Sequence, residues 1–328
     1  MTEQHELGGP DQQGQDTNTQ GKARRSGWFW LLVALAVLIL LPVVLMVAIL
    51  LALRSETGTA WVIDQIPGLD VTGGHGSLLG QWQASEVLWQ GFGVNVEVES
   101  ALIDWSPSCL LQAQICLDTL RAKRLDVQVQ PSSETEEPIQ GIDLPGFELP
   151  VGVRVGDVNL GPFSLNGGRV WDRLELSVGG SGADWQLERG LYQLGDYKVT
   201  ASGRVTTRRD WPVDLNVQAT LPPPSGDRWV VDLNLSGSVR DLRVSGQSRG
   251  YLDAALEGEV APLDTTLPAR LRITSKQFRA LDSVPDPLVL QDWFVVVDGS
   301  LASGFQTRGE ATLHGTEGPI AVSLDGKV

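Results

Sequence analysis

The sequence predicts a mainly β fold carried behind a single N-terminal transmembrane helix, with the strands mostly antiparallel. Three observations predict it. A 26-residue stretch, Trp28 to Leu53, contains no charged residue. After about residue 90 apolar and polar residues alternate again and again. Outside the uncharged stretch helical periodicity is scarce.

At ~1.5 Å per residue the uncharged stretch makes a helix of roughly 39 Å, enough to cross a hydrocarbon core of about 30 Å with some tilt. Lys22, Arg24 and Arg25 precede it and only Arg54 follows closely. The positive-inside rule therefore keeps residues 1–27 in the cytoplasm and exports the rest. A cleaved secretory signal is the competing reading, but its apolar region is usually about 7 to 15 residues long. Pro42 is compatible with a span, and Trp28 and Trp30 suit the interfacial belt. The first 21 residues, rich in Gln, Gly, Asp and Thr, are too polar to offset their ordering entropy and are expected to be disordered. Glu56 to Ile66 is expected to form a short juxtamembrane helix, within a segment 54–70, with Trp61, Val62, Gln65 and Ile66 on one face and Pro67-Gly68 ending it.

Charge narrows the class. Residues 1–54 hold four basic and four acidic groups, so the net charge of −15 belongs to the exported part. Such a surface repels nucleic acid and does not adhere to anionic headgroups. Cys109 and Cys116, the two cysteines of the chain, are expected to form a disulfide that closes a short loop. A zinc site has no further Cys, and His5, His75 and His314 are scattered. No nucleophile elbow, phosphate-binding loop or metal-ligand cluster is present, so neither a catalytic residue nor a cofactor is assigned.

The strand signal begins with Val94, Val96 and Val98 set against Asn95, Glu97 and Glu99, and with Leu125, Val127 and Val129 set against Asp126, Gln128 and Gln130. It returns at Leu215 and Val217, at Leu233 and Leu235, at Leu271 and Ile273, and then over Phe294 to Leu301 and Ile320 to Leu324. Each run has an oily face and a wet face. Asn166-Gly167-Gly168, Gly179-Gly180 and Ser236-Gly237 are expected to be turns between runs. No stretch of 10 to 15 residues looks like a crossover helix, which disfavours βαβ architecture. The segment 131–150, with four prolines and four glutamates, reads as a solvated insertion. Gly326-Lys327-Val328 follows an alternating run directly, which leads to the expectation that the chain is the N-terminal part of a longer protein. A one-faced sheet must cover its apolar side, and a closed sandwich, a closed barrel and a long curved sheet all do so. Periodicity alone does not choose among them, and secreted β-modules on a membrane stalk remain an alternative.

Several islands, in order, resemble the TamB family, the inner-membrane subunits of the translocation and assembly module. They are Trp61-Val62 leading into Ile66-Pro67-Gly68-Leu69-Asp70-Val71 with Thr72-Gly73-Gly74, then the Cys109-Leu110…Cys116 loop followed by Leu120 to Val129. The acidic Pro/Glu-rich insertion, Asp210-Trp211-Pro212-Val213-Asp214 in a strand, and Thr274-Ser275-Lys276-Gln277 complete the set. The cytoplasmic tail is longer than is usual for the family, and its large C-terminal region is absent.

The resemblance implies a taco-shaped β-sheet with an apolar groove, as in the related AsmA-like and bridge-like lipid-transfer proteins. It implies phospholipid acyl chains as cargo, anchorage in the inner membrane with the bulk in the periplasm, and support for outer-membrane protein assembly. Its outer-membrane partner, TamA, is thought to be engaged through the C-terminal region missing here. In such a sheet the alternating apolar residues would line the groove: Val94, Val96, Val98, Leu125, Val127 and Val129, continued by Leu215, Val217, Leu233, Leu235, Leu271 and Ile273. About 20 strands at ~4.8 Å spacing would extend roughly 95 Å.

Overall fold

The computed structural model describes residues 26–130, 144–225, 228–279, 283, 285, 288–315 and 318–327. The expected disordered tail and most of the acidic insertion lie outside the described residues. The chain divides into two units, Met1–Leu51 and Ala52–Val328.

The first unit is dominated by α1, Ser26–Leu53, a helix of 28 residues that includes Pro42 and exposes Leu38, Leu41 and Met46. Among the described residues no single helix is long and apolar enough to cross a membrane, and Leu40–Ala52 reaches that composition only together with Glu56–Asp64 as a bent pair.

The second unit opens with α2, Glu56–Asp64, capped by Ser55, whose side chain accepts a hydrogen bond from the Gly58 N–H at 3.0 Å. One continuous sheet follows. Its first part comprises β1 (Leu69–Thr72), β2 (His75–Gly76), β3 (Gln81–Gly91), β4 (Val94–Ser106), β5 (Gln114–Ala122) and β6 (Arg124–Val129). A 3-10 turn, Pro107–Gln112, sits between β4 and β5. The middle part comprises β7 (Leu149–Leu160), β8 (Phe163–Leu165), β9 (Gly168–Trp171), β10 (Arg173–Gly182), β11 (Asp184–Leu194) and β12 (Tyr197–Thr206). The last part comprises β13 (Pro212–Leu221), β14 (Trp229–Ser238), β15 (Leu242–Gly250), β16 (Ala254–Val260), β17 (Ala269–Phe278), β18 (Leu290–Ser300), β19 (Gly304–Gly315) and β20 (Gly318–Lys327).

Among the described residues pairing largely follows chain order and is antiparallel at every ladder but two. At the exceptions β5 runs parallel to β7, and β6 parallel to β8. Parallel neighbours need a connection that returns the chain to the opposite end of the strand. β6 ends at Val129 and β7 begins at Leu149, so the return falls between them, and the last residues of the expected insertion, Leu149 and Pro150, already belong to β7. The sheet is thus mixed rather than uniformly antiparallel.

The roughly 95 Å expected from 20 separate strands is too long. β1 and β2 lie along the same edge of β3, β5 and β6 both pair with β4, and β7–β8 and β9–β10 continue as broken single rungs. Sixteen rungs result, about 77 Å at ~4.8 Å each.

Two of the expected turns lie inside strands. Gly179 and Gly180 belong to β10, and Ser236 and Gly237 to β14. At Gly180 the reason is close packing, because a Cβ would stand 2.8 Å from the Trp185 indole. Asn166-Gly167 is a true turn, with φ of 49° and 79° joining β8 to β9. Asp210 and Trp211 precede β13 rather than lying within it.

Candidate apolar groove

Register decides what the alternation builds, because residues paired across strands share a face. Val94, Val96 and Val98 pair with Val129, Val127 and Leu125. Leu215 and Val217 pair with Leu235 and Leu233. Leu271 meets Gly258 on one side and Val297 on the other, and Ile273 meets Leu256 and Val295. The intervening strands carry the same face through Leu120 and Val158, Val158 and Leu176, Leu187 and Gly203, and Gly203 and Leu215. The ladder therefore places all twelve residues on one continuous apolar face, although they come from widely separated parts of the sequence.

None of the twelve is fully buried; Val129 is exposed and the others are half-buried. The fully buried apolar set is short and includes Trp82, Ala84, Ala101, Ala122 and Val213. A closed sandwich would bury residues of this size against a second layer. Here the described residues form one layer, so the face stays open along most of its length.

The exception is the α2 end. Trp82, Ala84 and Ala101 form a buried cluster, against which Ile63 of α2 packs together with Val71, Val87, Val98 and Ile103. Val98 therefore belongs to this packed end. The helix turns a different face inward from the one expected, since Trp61 is 65 % exposed and Ile66 is exposed as well. The buried position is Thr59, whose hydroxyl accepts the Leu78 N–H at 3.0 Å. A polar residue in contact with the sheet gives no hydrophobic periodicity to read.

Glycines bring neighbouring strands into close approach on the apolar side. A Cβ on Gly246 would stand 2.2 Å from the Asp232 carbonyl oxygen, and one on Gly258 2.3 Å from that of Arg270. Both glycines lie on the apolar face, opposite Leu233 and Leu271. Only a residue without a side chain permits so close an approach of neighbouring strands on that side, which is how glycine produces local curvature.

The opposite face carries the charge. Arg121 reaches Asp157 at 2.8 Å, Arg270 reaches Asp298 at 3.1 Å and Arg204 reaches Asp214 at 3.5 Å. Hydrogen bonds from Gln218, at 2.6 Å, and from Arg249 hold the Asp232 carboxyl below the usual carboxylate range. A hollow of about 830 Å³ beside Arg154, Gln186, Glu188, Arg204 and Asp214 is on this polar face. Twist makes hollows on both sides of a sheet, and the cations here are already paired.

Two rims flank the apolar face. On the rim that includes Phe92 and Val129, four aromatic rings follow one another: Trp229 to Tyr251 at 5.3 Å, Tyr251 to Phe278 at 5.7 Å and Phe278 to Trp293 at 5.9 Å between centroids. The other rim carries the loop in which Cys109 and Cys116 are joined by a disulfide, with Cα atoms 6.0 Å apart. There Phe147 stacks on Trp185, and the Trp211 indole donates to the Pro145 carbonyl at 3.3 Å. The aromatic succession escaped sequence reasoning because its members lie at strand ends, outside the alternating runs. His75, the one histidine set among glycines, lies 3.6 Å from Glu56 with both side chains exposed.

A profile of the TamB N-terminal domain matches residues 44–167 and 131–328. The chain belongs to the TamB N-terminal domain family. No curated protein and no solved structure matches the chain.

Proposed function

We propose that this TamB-like chain is a non-enzymatic lipid conduit, anchored in the inner membrane by α1, with its sheet in the periplasm. In this reading it carries phospholipid toward the outer membrane and supports outer-membrane protein assembly together with a TamA-like partner. The observation that carries the proposal is the apolar face, continuous in register yet half-buried. An acyl chain of about 16 carbons left in water costs roughly 13 kcal/mol at ~0.8 kcal/mol per methylene, so shielding along a transfer route must be unbroken. A face kept apolar over sixteen rungs suits that requirement.

The length and composition of α1 taken whole support reading it as the anchor. Its 28 residues give about 42 Å at ~1.5 Å each. Lys22, Arg24 and Arg25 on its N-terminal side support an orientation with the N-terminus in the cytoplasm.

The test uses photocrosslinking residues at Val127, Leu215 and Leu233 on the apolar face, and at Glu97 and Asn216 on the polar one. Phospholipid trapped from the first set only is the expected result. Equal trapping on both faces, or none, would overturn the conduit and leave a scaffold that spaces membranes.

A further inference from the structure

We propose that the disulfide-closed loop between β4 and β5 is a membrane-interface anchor, inserting Leu110 and Leu111 into the surface of the bilayer that α1 leaves. The inference rests on reading α1 as a membrane span.

Its first support is position within the sheet unit. α1 ends at Leu53, and Ser55 already caps α2. The Thr59 hydroxyl, one turn further on, accepts the Leu78 N–H, and the Trp105 indole donates to the Leu78 carbonyl. Trp105 is four residues before Cys109. The chain thus passes from the end of the uncharged helix to the rim with the disulfide loop through one short set of contacts. Covalent continuity keeps that rim near the place where the chain leaves the hydrocarbon.

The second support is chemistry. From Trp105 to Leu117 no residue is charged, in a chain where one residue in five is. Leu111 is 92 % exposed and Leu110 is exposed beside it, at the tip of the 3-10 turn. Water around two adjacent leucines is unfavourable, and a loop tip is too narrow to bury them itself. The disulfide and the hydrogen bond from the Ser106 hydroxyl to Asp118 hold the loop in shape, so little ordering entropy remains to be lost on insertion. Arg154 lies at the base of the loop, 4.0 Å from the Cys109 sulfur and 3.7 Å from Asp118. Apolar tip and cation behind it match the depth profile of acyl chain and phosphate in an interface. The acidic remainder of the chain repels anionic headgroups, whereas a neutral, apolar tip is suited to insertion into a bilayer surface.

Phe92 supplies the comparison. It is 99 % exposed at the opposite rim, and the thirteen residues of β4 hold the two tips about 40 Å apart. The test reconstitutes the full chain in phosphatidylcholine vesicles with brominated acyl chains. An environment-sensitive fluorescent amino acid is incorporated at Leu45, Leu111 or Phe92 in separate preparations. Quenching at Leu45 and Leu111, with none at Phe92, is the expected result. Quenching at Leu45 without quenching at Leu111 overturns the loop anchor and leaves the span standing. Loss of quenching at Leu45 removes the span, and the loop proposal falls with it. A photocrosslinker at Leu111 that captures a protein instead of phospholipid also overturns it.

Discussion

At the α2 end of the sheet Trp82, Ala84 and Ala101 are buried beneath Ile63, whereas from β13 to β17 the matching positions Leu215, Leu233 and Leu271 are only half-buried. Both regions are written in the same alternation and hold the same register. The difference is the presence of a covering element. One end has become an ordinary hydrophobic core, and the other has kept an apolar surface available, which is the state a carrier of acyl chains needs. Burial therefore has to be judged region by region, since alternation alone does not say what lies over the oily face.

The largest expected effect breaks the covered end. Trp82→Ala removes the centre of the buried cluster and is expected to cost about 3–5 kcal/mol, read from denaturant unfolding of the detergent-solubilised chain. Gly246→Ala tests the close approach of the strands next. Its Cβ has no room beside the Asp232 carbonyl, so a loss of about 1–3 kcal/mol is expected, together with weaker lipid trapping at the neighbouring Leu233. Leu233→Ala on the open face should cost only about 1 kcal/mol, because part of its surface is already in contact with solvent. A loss near that of Trp82→Ala would mean that the open region is covered after all.

The smallest effect concerns acid. The Asp232 carboxyl titrates below its unfolded value, so its contribution is complete above about pH 4 and fades as pH falls through the depressed folded value. Asp232→Asn should flatten that part of the stability profile, measured by unfolding across acid pH, and leave lipid trapping on the apolar face unchanged.

Much of the sheet was legible because Val94, Val96 and Val98, or Leu233 and Leu235, report their own face without knowledge of their neighbours. Even Trp82 and Ala84 follow that alternation, with Gln81 and Gln83 on the wet side. What escaped has a physical reason in each case. Glycine marks either a turn or a close approach, and Gly180 is the second kind because Trp185 lies against it. The parallel pairing of β5 with β7 joins residues almost forty positions apart, and nothing local in either strand announces its partner. Thr59 is buried through a hydrogen bond, which leaves no hydrophobic pattern. The lining residues were recognisable as a face, but how open that face is depended on α2 and on the absence of a second layer among the described residues.

The single parallel step has a consequence for the order of assembly. From β11 to β20 each strand pairs with the one just before it, so contacts are local and the sheet can lengthen a rung at a time as the chain is delivered. β5 and β6 cannot complete their outer edge until β7 and β8 have arrived from beyond the acidic return segment. Until then that edge has unpaired N–H and C=O groups. The crossover is thus the one pause in an otherwise sequential zipper, and the point at which a nascent chain is most open to pairing with the wrong strand.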